Sequence, residues 1–136
     1  MNIIDVAAGL VFRQGQLLIT QRHHQTHLGG LWEFPGGKRE PVETFEQCLT
    51  RELLEELGIE ISVGSLIESL THAYPEKTVR LNFYRCDLLG GEPRCLGCAD
   101  FKWVRADQLR DFQFPPADER LLHKLQTDTA IWHSSP

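Results

Sequence analysis

Gly37-Lys38-Arg39-Glu40-Pro41-Val42-Glu43, seven further residues, and then Arg51-Glu52-Leu53-Leu54-Glu55-Glu56-Leu57-Gly58-Ile59 form the stretch that decides how this chain is read. The two quoted pieces carry five glutamates. The periodicity predicts a helix. Pro41 suits a first turn, where its missing N–H is not needed. Val42, Phe45, Leu49, Leu53 and Leu57 recur at helical spacing as a buried stripe. Gly58 stands where a left-handed C-cap belongs. On this helix Glu52, Glu55 and Glu56 share one side. Glu43 lies about two turns upstream. It meets Arg51 only if both side chains extend or the first turn bends.

Acidic residues on a helix ordinarily form a solvated face, and Arg51 can pair with Glu55 at i+4. Here the glutamates crowd the C-terminal end, where the helix dipole disfavours negative charge. No lysine follows in the last turn. Carboxylates this dense repel one another unless a positive charge sits between them. A divalent cation answers both difficulties, and phosphate chemistry is its simplest use.

The stretch resembles the Nudix box, Gly-x5-Glu-x7-Arg-Glu-U-x-Glu-Glu-x-Gly-U, with U a bulky aliphatic. Every fixed position matches: Gly37, Glu43, Arg51, Glu52, Leu53, Glu55, Glu56, Gly58 and Ile59. Glu33-Phe34-Pro35-Gly36-Gly37-Lys38 and Phe114-Pro115-Pro116-Ala117 are similar to the MutT-like branch of the Nudix hydrolases, which hydrolyses oxidised nucleotides such as 8-oxo-dGTP. Gly91-Glu92-Pro93 and Trp103 fall at similar spacing, so the resemblance runs over roughly residues 3 to 126. It implies an α/β (α+β) fold, an α/β/α sandwich around a mixed sheet.

Composition agrees with one domain. The 136 residues suffice for a core, and a 41% hydrophobic, 24% charged balance is that of an ordinary globular chain. We expect a domain over residues 1–128 and a poorly ordered tail beyond, although Ile131 and Trp132 can dock. The net charge of −5 argues against a polymeric nucleic-acid partner. No apolar run approaches the ~20 residues of a membrane helix, and Met1-Asn2-Ile3-Ile4-Asp5 has no charged n-region, so a cytoplasmic location is expected. The four cysteines read as free thiols. Cys95-Leu96-Gly97-Cys98 supplies only half of a zinc site. A monomer or weak dimer is expected.

Along the chain, Val6 to Phe12 and Leu17 to Gln21 read as a hairpin around Gln14-Gly15. Trp32-Glu33-Phe34 reads as a short strand. Ser65 to Ala73 and Thr78 to Asp87 form a second hairpin turning at Pro75-Glu76-Lys77. Phe101 to Val104 is a strand, Ala106 to Asp111 a helical turn, and Ala117 to Gln126 a last helix.

The resemblance implies the roles. Glu52 and Glu56 ligate Mg2+ (Mn2+ substituting), helped by the Gly37 carbonyl, while Glu55 holds a second ion or assists the base. Arg51 organises, holding Glu43 and setting carboxylate rotamers. The implied reaction is water attack at the β-phosphorus of a nucleoside triphosphate, giving monophosphate and pyrophosphate. Arg22 is placed to bind phosphate and His27 to line the nucleotide site, against a plain solvated loop for the histidines. Glu33 and Phe34 are expected near base or ribose. Tyr74, Glu76 and Lys77 lie on a turn that would cover the base, and Phe34 and Tyr74 serve equally well as core.

Two departures stand out. Relatives in this branch commonly carry a loop glutamate where this chain has Gly97; Asp100 and Glu92 are near but do not align, so Asp100 or a box glutamate is left as base. The residue after Phe-Pro-Pro-Ala is Asp118, where the branch archetype has asparagine. An ionised aspartate only accepts hydrogen bonds. It can take the N7–H of 8-oxoguanine but donates to O6 only when protonated, and it suits the cytosine amine as well. CTP and 5-methyl-dCTP are therefore the alternative substrates; Asp118 also reads as a helix cap. ADP-ribose or dinucleoside polyphosphate hydrolysis, and a non-catalytic oxidised-guanine reader, are the remaining readings.

Overall fold

The computed structural model describes residues 3–133. Met1-Asn2 and Ser134–Pro136, which belong to the leader and tail expectations, lie outside the described residues. Strand β1 (Ile3–Arg13) turns at Gln14-Gly15 into β2 (Gln16–Gln21). Both turn residues have positive φ, 52° and 76°, the conformation a tight hairpin demands. The short strands β3 (Trp32–Glu33) and β4 (Gly36–Lys38) precede helix α1 (Phe45–Leu57). The long hairpin β5 (Glu60–Tyr74) and β6 (Lys77–Gly90) follows, then β7 (Asp100–Val104). Short 3-10 segments at Ala106–Asp111 and Pro116–Asp118 lead into α2 (Glu119–Thr127).

The seven strands form one mixed sheet in the order β3-β2-β1-β6-β5, with β4 paired to β1 and β7 to β2. Among the described residues only the central β1–β6 pairing is parallel, from Ile3 opposite Thr78 to Phe12 opposite Asp87. Alternation along β1 sends Ala7 and Val11 to one face and Ala8, Leu10 and Phe12 to the other. The first face meets Leu49, Leu53 and Leu57 of α1. The second meets Leu121 and Leu125 of α2. The result is the α/β/α arrangement the sequence suggests.

Two expectations are corrected. The helix does not begin near Pro41, and Val42 is not in its stripe: Val42 is 94% exposed. Thr44 is the N-cap, and a reciprocal capping box with Gln47 starts the helix at Phe45. The other end is as expected, with Gly58 in the left-handed region at φ 69°. The segment expected to be a disordered tail is partly ordered. Thr129–Trp132 forms a 3-10 turn, and Ile131 and Trp132 are buried. The Trp132 indole N–H donates to the Leu125 carbonyl at 2.7 Å, and its ring meets Phe12 edge-on.

Candidate active site

The early end of α1 lets Glu43 fold back beside the helix rather than sit on it. Arg51 grips it with two bonds, Nη2 to Oε1 at 2.6 Å and Nε to Oε2 at 3.1 Å. The remaining Nη1 donates to Glu52 at 2.8 Å and to Glu55 at 3.4 Å. One guanidinium therefore fixes three glutamates. Glu43 also accepts from the Glu40 amide at 2.9 Å. These contacts hold the Glu43 carboxyl down at about 2.

Strand β4 brings the Gly37 backbone against the same carboxylates. A Cβ on Gly37 would stand 2.4 Å from the Glu52 carboxyl carbon, and one on Gly36 would meet the Ala7 carbonyl. Gly36 therefore requires glycine, while a side chain at 37 would displace the Glu52 carboxylate. Glu56 points inward. Burial first, and then the negative charges of Glu52 and Glu33, push its carboxyl up to about 8. The donor set is made of hard oxygens, carries surplus negative charge, and has Arg51 already committed. This fits a cation such as magnesium. Among the described residues no three His, Cys, Asp or Glu side chains stand together as a ready-made metal site; magnesium keeps several waters, so fewer carboxylates and a carbonyl suffice.

The helix end that should repel these glutamates is neutralised from outside the helix. Loop 91–99 folds under it: the Arg94 amide donates to the Leu57 carbonyl at 2.9 Å, and the Leu96 and Gly97 amides donate to the Glu56 carbonyl at 3.0 and 3.1 Å. The Arg94 guanidinium lies beside Gly58. Spacing within the helix gave no sign of this cap, because its donors come from residues about forty positions later.

Beside the glutamates opens a cavity of about 530 Å³. Gly37, Lys38 and Glu56 line it together with Phe34, Phe83 and Asp118. Arg22, His27, Glu33, Tyr74 and Lys77 also line it, so every substrate-contact candidate except Glu76 reaches one cavity. Glu76 faces a neighbouring hollow instead. Arg22 is less free than a phosphate ligand would be. It donates to Glu33 at 3.0 Å and to the His27 carbonyl at 2.8 Å, bracing the loop it begins. The His27 ring packs edge-on against Tyr74, which also meets His72. Phe34 is both core and wall, stacked on Phe114 at 5.2 Å. His72 and Lys38 were missed by sequence reasoning; Lys38 follows the box glycine directly, which was the available signal.

Asp118 is 5% exposed and does not cap α2 with its side chain. Burial, reinforced by the Glu33 charge, pushes its carboxyl up to about 7. Neither of the two other candidate acids lines the cavity. Glu92 pairs with Arg13, at the far end of β1 from Gly37. Asp100 accepts from the Phe101 amide at 2.8 Å and lies 3.9 Å from the Lys102 amine.

A family model described as the NUDIX domain matches residues 7–124. The chain belongs to the Nudix family. Nudix hydrolases act on nucleotide substrates at diphosphate linkages and generally use divalent metal cations. The 8-oxo-dGTP diphosphatase of Haemophilus influenzae is 40% identical over 129 residues, spanning 94% of this chain and 95% of its own. The CTP pyrophosphohydrolase of Escherichia coli is 35% identical over 122 residues, 90% of each chain. In structure the chain is similar to the E. coli ORF135 protein, with a TM-score of 0.78 and 34% identity over 90% of this chain and 88% of that one. Among the described residues no helix is long and apolar enough to cross a membrane.

Proposed function

We propose that this Nudix hydrolase is a magnesium-dependent nucleoside triphosphate pyrophosphohydrolase that removes oxidised nucleotides, 8-oxo-dGTP foremost, from the precursor pool. The observation that carries the reading is one cavity lined both by Gly37, Lys38 and Glu56 and by a buried, weakly acidic Asp118. A carboxyl titrating at about 7 is partly protonated at neutral pH. In that form it donates and accepts at once, as an amide does. It can then give a proton to O6 and accept from N7–H on the oxidised edge of 8-oxoguanine.

Glu52, Glu55, Glu56 and the Gly37 carbonyl would hold the cation. A bound divalent cation supplies charge neutralisation of the diphosphate oxygens and a more acidic water. Arg51 and Glu43 fix the rotamer of Glu52. Lys38 faces the phosphates from β4. Arg22 steadies Glu33 and the His27 loop, and Phe34 and Tyr74 flank the base. We assign the proton of the attacking water to a box glutamate. Glu55 is the least committed, at 61% side-chain exposure with a 3.4 Å contact to Arg51. Water attacks the β-phosphorus, giving the nucleoside monophosphate and pyrophosphate. Free thiols suit a reducing, cytoplasmic compartment.

A second reading, CTP or 5-methyl-dCTP hydrolysis, is favoured by the ionised form of Asp118, which accepts from the cytosine amine, and by the CTP-hydrolysing relative. The test is pyrophosphate release with magnesium from 8-oxo-dGTP, dGTP, CTP, 5-methyl-dCTP and ADP-ribose. A large excess of kcat/KM for 8-oxo-dGTP over dGTP and CTP supports the proposal. Preference for the cytidines replaces it with the second reading, and preference for ADP-ribose rejects both.

A further inference from the structure

The loop that caps α1 carries a feature the proposed chemistry does not use. Cys95 is exposed and Cys98, three positions on in the same loop, is 7% exposed; burial first, and then the neighbouring Cys95 thiol, push the Cys98 thiol up to about 12. Between them lie Leu96 and Gly97, whose amides donate to the Glu56 carbonyl. Gly97 packs so closely that a Cβ there would be 3.3 Å from Glu56 Cγ. Among the described residues no third metal-ligating side chain joins the pair. The arrangement is a dithiol with one sulfur open to solvent and one held behind it, spliced into the support of a site glutamate.

We propose that Cys95 and Cys98 form a reversible disulfide that weakens the catalytic helix cap and lowers turnover. The oxidant is a hydroperoxide. The Cys95 sulfur attacks the peroxide; an S–O bond forms, the O–O bond breaks, and water or an alcohol leaves, giving a sulfenic acid. The Cys98 sulfur then attacks Cys95; the S–S bond forms, the S–O bond breaks, and water leaves. Two thiols lose two electrons and two hydrogens, and one peroxide is reduced. A dithiol reductant reverses the change by exchange.

The geometry dictates the consequence. A disulfide needs its Cβ atoms about 3.8 Å apart with a restricted dihedral. A link closed between Cys95 and Cys98 constrains Leu96 and Gly97 between them, and these are the residues that donate to Glu56. The Glu56 carbonyl loses donors and the adjoining side chain loses its support. A small displacement at a reacting centre costs orders of magnitude in rate. Cys48 and Cys86 are 0% exposed and are shielded from the same oxidant.

The experiment exposes the reduced full-length protein to hydrogen peroxide and maps peptides without reductant. The expected product is a Cys95–Cys98 peptide lighter by two hydrogens and restored by dithiothreitol. The Leu96 and Gly97 amides should exchange hydrogen faster in the oxidised form, and nucleotide turnover should fall on the order of tenfold and recover on reduction. Cys95→Ser, at an exposed position, should keep basal turnover and lose the peroxide response; Cys98→Ser should do the same. Oxidation of Cys95 to a sulfinic acid without a link overturns the proposal. So does a linked enzyme with unchanged amide exchange and full turnover. Only the turnover reading rests on the proposed function. A panel without turnover rejects that function, while the mapping and exchange still decide the switch.

Discussion

Arg51 and Glu43 form a two-bond fork across the start of α1, at 2.6 and 3.1 Å, although eight positions separate them. The fork exists because Glu43 lies before the helix, where the chain is free to turn back. A lysine at 51 would keep the charge and lose the fork. We expect Arg51→Lys to leave the fold intact and weaken magnesium affinity about 10–100-fold, the usual effect of losing a residue that orients a ligand. A magnesium titration of turnover, with manganese binding measured directly, checks this. Unchanged affinity rejects the positioning role. The carboxyl of Glu43 falls from 4.5 to about 2 on folding. Its stabilising contribution is therefore complete above pH 4.5 and is lost as pH falls through about 2.

Glu52 and Glu56 meet the Gly37 backbone and the cavity from one face of α1. Glu52→Gln and Glu56→Gln should each lower kcat/KM by at least about 100-fold, with circular dichroism unchanged and no fall in melting temperature. Gly37→Ala should be as damaging, because its Cβ would stand 2.4 Å from the Glu52 carboxyl carbon. Full activity in both glutamine variants would remove these glutamates from the metal site.

Asp118 offers a pH test with a definite sign. Its carboxyl rises from 3.8 to about 7 on folding, which disfavours the charged form. Protein stability should thus decline as pH rises from about 4 to 7 through this group and level off above it. Asp118→Asn should be stabilising at pH 8, by up to about 4 kcal/mol, and nearly neutral at pH 4. Denaturant melts at the two pH values measure it. The ratio of kcat/KM for 8-oxo-dGTP over CTP should fall as pH rises through 7 in the parent and stay flat in the variant. A flat ratio in the parent would detach Asp118 from base reading.

Trp132 fixes the far end of the chain to the core. Trp132→Ala removes the edge contact with Phe12 and the bond to the Leu125 carbonyl. The expected loss is about 3–5 kcal/mol of unfolding free energy, read by chemical denaturation. A change within experimental scatter would restore the view of this segment as a loose tail.

Much of the site was legible because the box is local: the glycines, the arginine and the glutamates lie within one turn-and-helix unit, and helical spacing alone puts three carboxylates on a side. The hairpins followed from alternation and turn residues. What escaped was either a competing local signal or a distant partner. Pro41 and Val42 fitted a helical period, yet Thr44 and Gln47 formed a capping box that moved the start past both. Arg22 looked like a free cation until folding delivered Glu33 beside it. The neutralising cap from Arg94, Leu96 and Gly97 has no signature within the helix it serves. The depth of Asp118, which decides its protonation, depends on walls contributed by several strands.

The parallel pairing of β1 with β6 has a consequence for the order of assembly. Ile3 faces Thr78 and Phe12 faces Asp87, a constant separation of 75 positions. During synthesis the first hairpin emerges long before its central neighbour exists, leaving Leu10, Val11, Leu17 and Leu18 uncovered. Such non-local closure is intrinsically slow and exposes sticky surface meanwhile. Val6 and Ala8 from β1 and Leu81 and Phe83 from β6 line the nucleotide cavity together. Pro115, Ala117 and Asp118 line it too, so the cavity is completed only after the nascent chain has passed residue 118.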